Sequence, residues 1–332
     1  MIPAVWLLLF SPFQSAANPA SFDQLLAQGL VALNSNDLGS ARDRLDAATK
    51  LNPQSGEAWI ALAQTHLKLK DIGSADSAAK RAEALAGNNP RLLRALLIYY
   101  TGRGLPEMIA KTAEQAIAIE DTPELTFQLA RAYLQMQNFE RASSMLQGAV
   151  KKWPQSAQLQ LALGVAYYGQ RRFPQAVEQF LATIRLADEV EQPYIFLGKI
   201  LDHAGDHLPE IQQRFEALLK RHPDDFMANF LCAKVLIAQP GSDAAAAEQL
   251  LRKSIAINSG FWESHFELGV HLAKSGNYPA AEQELVAATK LNPKEAAPHY
   301  HLSRVYDRLR KPELASAERL THQNLTSGNT IQ

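Results

Sequence analysis

The sequence predicts an all-α solenoid built from stacked antiparallel helix pairs, and three observations predict it. The phrase Ala-Ala-Thr-Lys-Leu-Asn-Pro at 47–53 recurs at 287–293. A leucine followed by a small residue, with tyrosine three further on, stands at Leu129-Ala130 with Tyr133. It stands again at Leu163-Gly164 with Tyr167, a step of 34 residues. Pro53, Pro154 and Pro293 fall between the units so defined, where no helical N–H is lost. A single helix pair cannot bury its own apolar face, so copies at a fixed period must stack on one another.

Each unit can be followed in chain order. The first starts at Phe22 and supplies Leu25, Gly29, Ala41, Leu45, Ala48 and Pro53. The second, from Gly56, has Trp59, Leu62, Ala63, Ala75 and Ala82. The third, from Pro90, has Leu96 and Tyr100 with a displaced second helix. The fourth, from Pro123, has Leu129, Ala130, Tyr133, Ala142, Leu146, Ala149 and Pro154. The fifth, from Ala157, has Leu163, Gly164, Tyr167, Ala176 and Phe180. The sixth, from Glu191, has Leu197 and Gly198 and runs one residue long before Pro223. The seventh, from Phe226, has Ala233 and Leu236 and an insertion near Pro240-Gly241. The eighth, from Trp262, has Leu268, Gly269, Ala281, Leu285, Ala288 and Pro293. The ninth, from Ala296, has Leu302, Tyr306 and Ala315. Ala41, Ala142, Ala176 and Ala281 would let the second helix of a pair approach the first. Leu45, Phe180 and Leu285 follow four positions later on the same helical face. In the last unit Arg319 and His322 take positions that are apolar or small elsewhere, as expected where no further repeat packs.

This recurring pattern resembles the tetratricopeptide repeat family. That family prefers a large residue at repeat position 4 and Leu, Gly or Ala, and Tyr at 7, 8 and 11. It then prefers Ala at 20, a large apolar residue at 24, Ala at 27 and Pro at 32. The resemblance runs from residue 22 to about 325, nearly the whole length. It implies a right-handed superhelical solenoid of about nine tetratricopeptide repeats over residues 18–325, followed by a polar tail at 326–332.

Composition narrows the function. The chain has 332 residues, 47% of them hydrophobic, and a net charge of -1. A nonspecific nucleic-acid binder carries a basic excess, so no nucleic-acid partner is expected. Cys232 is the sole cysteine, which excludes an internal disulfide. Residues 1–17 read as a signal peptide. Ile2 to Phe10 is an apolar run too short to span a bilayer, and Ser15, Ala16 and Ala17 suit cleavage after Ala17. No basic residue precedes the run. The competing reading, an apolar first helix, is disfavoured by Pro3, Pro12 and Pro19. The chain is expected to be exported, periplasmic or secreted, and not an integral membrane protein.

Catalytic constellations are not apparent. The sequence has no phosphate-binding glycine loop, and Gly102-Arg103-Gly104 reads as an inter-helix turn. His203 and His207 have i, i+4 spacing, but Gly205-Asp206 between them marks a turn. His299 and His301, two apart, point to different helix faces. Cys232 reads as a small buried residue. Asn324-Leu325-Thr326 matches a glycosylation sequon. No metal, cofactor or enzymatic activity is expected.

The resemblance implies that the first helices of the pairs, the A helices, line a concave groove, and that partner peptides touch positions 2, 5, 9, 12 and 13. Through register, the candidate binding residues at positions 5 and 9 are Phe127 and Arg131, Leu161 and Val165, Ile195 and Lys199, Phe230 and Lys234, Phe266 and Val270, and Tyr300 and Arg304. They would form an apolar groove with a basic edge, suited to a protein or peptide segment carrying acidic and apolar residues. Position 9 holds no Asn, which separates the chain from the members that grip chaperone tails. The expected function is a protein–protein interaction scaffold organising an exported or envelope-associated complex. The alternative is a non-catalytic accessory or regulatory subunit of an enzyme complex.

Overall fold

A computed structural model describes residues 20–239, 241 and 243–328. The expected signal segment, 1–17, and the last four residues of the chain lie outside the described residues. Among the described residues the chain forms eighteen α-helices and no strand, which follow one another as the first and second helices of nine successive repeats. The first three hairpins are α1 (Phe22–Asn34) with α2 (Leu38–Leu51), α3 (Gly56–Lys68) with α4 (Ile72–Ala84), and α5 (Pro90–Arg103) with α6 (Pro106–Ile119). Next come α7 (Pro123–Gln135) and α8 (Phe139–Lys152), then α9 (Ala157–Gly169) with α10 (Phe173–Leu186). The sixth hairpin is α11 (Gln192–Lys199) with α12 (Leu208–Arg221). The seventh is α13 (Phe226–Ala238) with α14 (Ala244–Ile257). The last two are α15 (Trp262–Lys274) with α16 (Tyr278–Leu291) and α17 (Ala296–Arg308) with α18 (Pro312–Gly328). The final helix runs on through 326–328, so the first three residues of the expected tail are helical. None of the described helices is long and apolar enough to cross a membrane.

The chain divides after Met136 into two compact units, the first closing on α7 and the second opening on α8. Within the first unit each helix packs on its neighbours in sequence, over a core that includes Ala41, Leu45, Leu93, Leu96, Tyr99 and Ile109. Within the second unit Leu146, Leu163, Phe180, Ile211, Phe215, Leu251, Leu285 and Leu302 do the same work. The small residues act as expected: Ala41, Ala142, Ala176 and Ala281 are fully buried. At position 8 the contact is tighter still. A Cβ on Gly269 would sit 2.6 Å from Leu285 Cγ, and one on Gly164 would sit 2.7 Å from Phe180 Cε1. The repeat thus sets one large side chain of the second helix directly on the backbone of the first.

Two local devices hold the register. Among the described residues, each turn between the first and second helix of a repeat carries one left-handed residue: Asn36, Lys70, Gly104, Gln137, Arg171, Gly205, Gly241, Gly276 and Arg310. Their spacing is 34, 34, 33, 34, 34, 36, 35 and 34 residues, so the two long steps lie on either side of Gly241. Most of these turns are sealed by a hydrogen bond from the next N–H back across five residues, as Asp37 to Leu33's neighbour Ala32 at 2.9 Å and Arg172 to Tyr167 at 2.9 Å. Helix starts are capped: Ser21 with Gln24 forms a capping box, and Asp37, Ser55, Asp71, Asn138, Ser156, Asp225 and Asn277 each accept the backbone N–H three residues on.

The sixth hairpin departs from the rest. Its first helix, α11, is only eight residues long and gives way to two single 3-10 turns, Leu201–His203 and Gly205–His207. Gly205 is left-handed there, and Pro209 opens α12. His203 stacks on Phe173 with centroids 4.5 Å apart, and none of the described residues gather three or more His, Cys, Asp or Glu into a metal cluster.

Candidate partner-binding face

Successive A helices of the second unit touch: α11 packs on α13, α13 on α15, and α15 on α17. Residues at positions 5 and 9 are four apart, one helical turn, so each helix presents both on one face. On α9, Leu161 and Val165 are half-buried, and so are Phe266 and Val270 on α15. Ile195 is half-buried on α11, whose last residue, Lys199, is exposed. Tyr300 and Arg304 are exposed on α17, the guanidinium lying 5.8 Å from the tyrosine ring centroid. In the first unit Phe127 and Arg131 are both half-buried on α7.

Phe230 does not take the role the sequence suggested. It is 7% exposed and meets Phe261 edge to face at 5.0 Å, so its ring is spent inside the fold. The basic edge also needs correcting. Lys234 pairs with Glu267 at 3.2 Å, which matches its charge within the protein. Beside them Glu263 has one carboxylate oxygen that is buried with no hydrogen-bond partner. Burial raises its pKa above the ordinary carboxylate value, and Glu295 adds to this against the opposing pull of Lys199 and Lys234. The middle of the face is therefore of mixed charge.

Its C-terminal end differs. Between α15 and α17 lies a hollow of about 230 Å³ with Val270 and Val305 in its walls and Lys274, His301, Arg304 and Arg308 around it. Lys274 and Arg308 occupy position 13 of consecutive repeats. Following that position through the register, as positions 5 and 9 were followed, would have brought both to notice. His301 is half-buried, edge-on to Phe266 at 5.4 Å, and its pKa is lowered by burial first and then by Arg304 and Lys274. His299, two residues earlier, is buried on the other side of the helix.

Position 4 carries a second signal that a search for large apolar residues overlooks. Trp59 donates through Nε1 to the Pro53 carbonyl at 2.8 Å, and Asn229 donates to the Pro223 carbonyl at 2.9 Å. Tyr194 donates its hydroxyl to the Asp188 carbonyl at 3.0 Å. Gln160, His265 and His299 reach the carbonyls of Pro154, Ser259 and Pro293 at 3.4, 3.2 and 3.2 Å. In each case the partner is six residues back, so the side chain ties its A helix to the corner that precedes it. Cys232, at position 7 of α13, is buried, and desolvation pushes its thiol up to about 12.

A family model described as tetratricopeptide repeat matches residues 26–90, 127–190, 212–260 and 266–319. No curated protein matches the chain. Among solved structures it is similar to a chain of the APC/C hetero-tetramer Cut9–Hcn1, with TM-score 0.52 and 15% identity over 92% of this chain. The chain spans 61% of that relative's length. It is also similar to PilW, a widely conserved type IV pilus biogenesis factor, with TM-score 0.50 and 17% identity, covering 63% of this chain and 94% of that one. A third likeness is to pilF of Pseudomonas aeruginosa, with TM-score 0.43 and 17% identity over 62% and 94% of the two chains. At such identities the structural likenesses speak to fold alone, whereas the family model spans most of the sequence. With the family model matching most of the sequence and a turn register close to 34 residues, the chain belongs to the tetratricopeptide repeat family.

Proposed function

We propose that the chain is a non-catalytic scaffold that holds a segment of a partner protein along the A-helix face of its second unit. One observation carries this reading. Leu161, Ile195, Phe266 and Val270 keep part of their apolar surface open at the two register positions shared by successive helices, while Leu163, Leu197 and Leu268, a few residues away on the same helices, are fully covered. Apolar surface left in a row, with charge of both signs beside it, is the pattern of a protein-binding patch. The segment so held would combine apolar residues with acidic ones.

The test is photo-crosslinking. A benzophenone side chain placed at 161, 195 or 270 should capture one partner at near-stoichiometric yield in native extract, while the same group at exposed Gln283 on α16 should not. Equal capture at both sets of positions would reject the assignment. The scaffold is further proposed to act outside the cytoplasm, on the strength of the apolar run and small residues at 2–17. Mass spectrometry of the protein recovered from its own cells should then find Asn18 as the first residue; a chain beginning at Met1 or Ile2 would refute export by cleavage.

A further inference from the structure

We propose that the hollow where α12, α13 and α14 meet is a seat for one aromatic side chain of a partner protein, a tryptophan or tyrosine whose N–H or O–H meets Asn229. The hollow has a volume of about 420 Å³, with Leu219, Pro223 and Leu250 in its walls and Asn229 among them. None of these residues stands at position 5 or 9, so the inference is independent of the A-helix face.

Other repeats show what occupies such a place. At position 4 Trp59, Tyr194, His265 and His299 each hold a ring, and each ring ends on a carbonyl of the preceding corner. His265 and His299 also reach a carboxylate of their second helix, Glu284 and Glu318. The seventh repeat has neither part. Its position 4 is Asn229, and 34 residues before Glu284 stands Leu250, the same step that relates Ala247 to Ala281 and Leu251 to Leu285. A short amide and an apolar side chain replace a ring and its acid, and the hollow opens beside them.

Asn229 decides which ligand chemistry fits. Its side chain is fully buried. Both amide hydrogens are committed, one to the Pro223 carbonyl at 2.9 Å and one to the Asp225 carbonyl at 2.7 Å. Oδ1 is buried with no partner among the described residues. The amide thus has only an acceptor left to offer, and the ligand must bring a donor. A buried acceptor left unpaired costs stability, which an arriving N–H or O–H recovers on binding. A flat ring reaches that oxygen as the half-buried Leu219 and Leu250 change rotamer. Glu216, Lys220 and Lys253 stand exposed at the edge and carry both signs, so charge does not select the ligand. An indole or a phenol meets both requirements, an apolar plate with a donor at its rim.

The hollow is open on its outer side, where Lys220, Pro223 and Lys253 are exposed. A ring seated there keeps one edge in solvent, as a side chain tethered to a second protein does. A free small molecule is normally enclosed over most of its surface.

The experiment uses the full chain, labelled for NMR at leucine methyl groups and asparagine side-chain amides, and uncharged, end-blocked peptides Gly-Gly-Xaa-Gly-Gly. With tryptophan at Xaa, the Leu219, Leu250 and Asn229 signals should shift and saturate. 1-Methyltryptophan keeps the ring but lacks the N–H, and should bind about fivefold more weakly, the size of one neutral hydrogen bond. Leucine should bind more weakly than either. Asn229→Trp fills the hollow from within, on the pattern of Trp59, and should abolish binding, with circular dichroism and a urea midpoint verifying its fold. Leu250→Ser leaves Asn229 in place and should weaken both tryptophan peptides alike while keeping their ratio.

Equal binding of the tryptophan and 1-methyltryptophan peptides overturns the seat, and so does binding that survives in folded Asn229→Trp. If that variant does not fold, Leu250→Ser decides, and unchanged affinity for the tryptophan peptide there overturns the seat. Absence of any shift at the three residues overturns it too and leaves the hollow to water. Free indole binding more tightly than the tryptophan peptide overturns the tethered side chain in favour of a small aromatic molecule.

Discussion

At the scale of single residues, the fold contains a histidine contact that it uses twice. His265 meets Glu284 Oε2 through Nδ1 at 2.7 Å and the Ser259 carbonyl through Nε2 at 3.2 Å; His299 repeats this with Glu318 at 2.5 Å and the Pro293 carbonyl at 3.2 Å. At His265 the carbonyl only accepts, so Nε2 must donate, and the Glu284 carboxylate at Nδ1 then favours the doubly protonated ring. For His265 the Glu284 contact, followed by the Ser259 carbonyl, raises the pKa above 6.5 against the opposing effect of burial. A raised folded pKa means stability that is full below 6.5 and lost as pH climbs through the folded value. The melting temperature of the protein should therefore exceed that of His265→Gln most at about pH 6. The gap should narrow steadily toward about pH 9, as scanning calorimetry would record. A gap that widened over that range would contradict the doubly protonated ring. Glycine offers a second residue-scale contrast. Gly269→Ala pushes a methyl into Leu285, including its backbone nitrogen at 3.2 Å, and should cost about 1–2 kcal/mol after allowing for the better helix propensity of alanine. Gly148→Ala, in an exposed helical position with nothing within 4 Å, should instead stabilise by about 1 kcal/mol. Urea denaturation of the two variants decides the signs. The close approach at Gly269 was legible in the sequence, because a small residue recurs at the same repeat position. The histidine contacts were not, since Glu284 and Glu318 stand nineteen residues away in the second helix and no local pattern links them.

At the scale of elements, the hairpin turn is the feature that repeats most faithfully, yet sequence hides it. Its left-handed residue is glycine in four hairpins and Asn, Lys, Gln or Arg in the other five. Reading glycine as the turn signal finds Gly104, Gly205, Gly241 and Gly276 and misses Lys70 or Arg171, because the sealing hydrogen bonds impose the conformation whatever the side chain. Left-handed backbone costs a residue with a Cβ about 1–2 kcal/mol, part of which glycine returns through its freer unfolded chain. Lys70→Gly and Arg171→Gly should each stabilise the protein by about 0.5–1 kcal/mol, a gain visible as a higher urea midpoint at unchanged slope. Gly276→Ala should lose at least as much, its φ of 84° lying farther from what an L side chain tolerates. The same reasoning accounts for what sequence did reveal. Alanines at the helix crossings and prolines between hairpins are chosen by packing and by missing donors, and those constraints act on residue type directly. Position 5 was read less well. Apolar character there suits open surface and core alike, and only the geometry around Phe261 distinguishes Phe230, which is covered, from Phe266, which is partly open.

For the molecule as a whole, the governing fact is that within each unit the described helices pack mainly on their sequence neighbours and next neighbours, so stability is distributed rather than concentrated in one core. Interior hairpins of a unit are buried on both sides, whereas the last one is covered on one side only. Its outer helix shows this: Leu314 and Leu320 are 47% and 58% exposed, and Arg319 replaces the large apolar residue of other repeats to pair with Asp307 on α17. Opening should therefore begin at α18 and reach α13 only after the hairpins beyond it have come apart. Cys232 is a built-in reporter of that order. It is the one thiol in the sequence, it sits buried on α13, and desolvation raises its pKa to about 12. At pH 8 the folded protein should thus react with a thiol reagent only through an open form, in which the thiol regains an ordinary pKa near ~8.5 and its full reactivity. Labelling rates measured along a urea series, beside hydrogen exchange of α17 and α18, test the order directly. The expected result is that α18 amides exchange at urea concentrations where Cys232 is still protected. Protection of the thiol should then fall only with the loss of bulk helicity. A thiol that labels as readily as the α18 amides exchange would mean that α13 opens independently of its neighbours, and the nearest-neighbour picture of this unit would have to be abandoned.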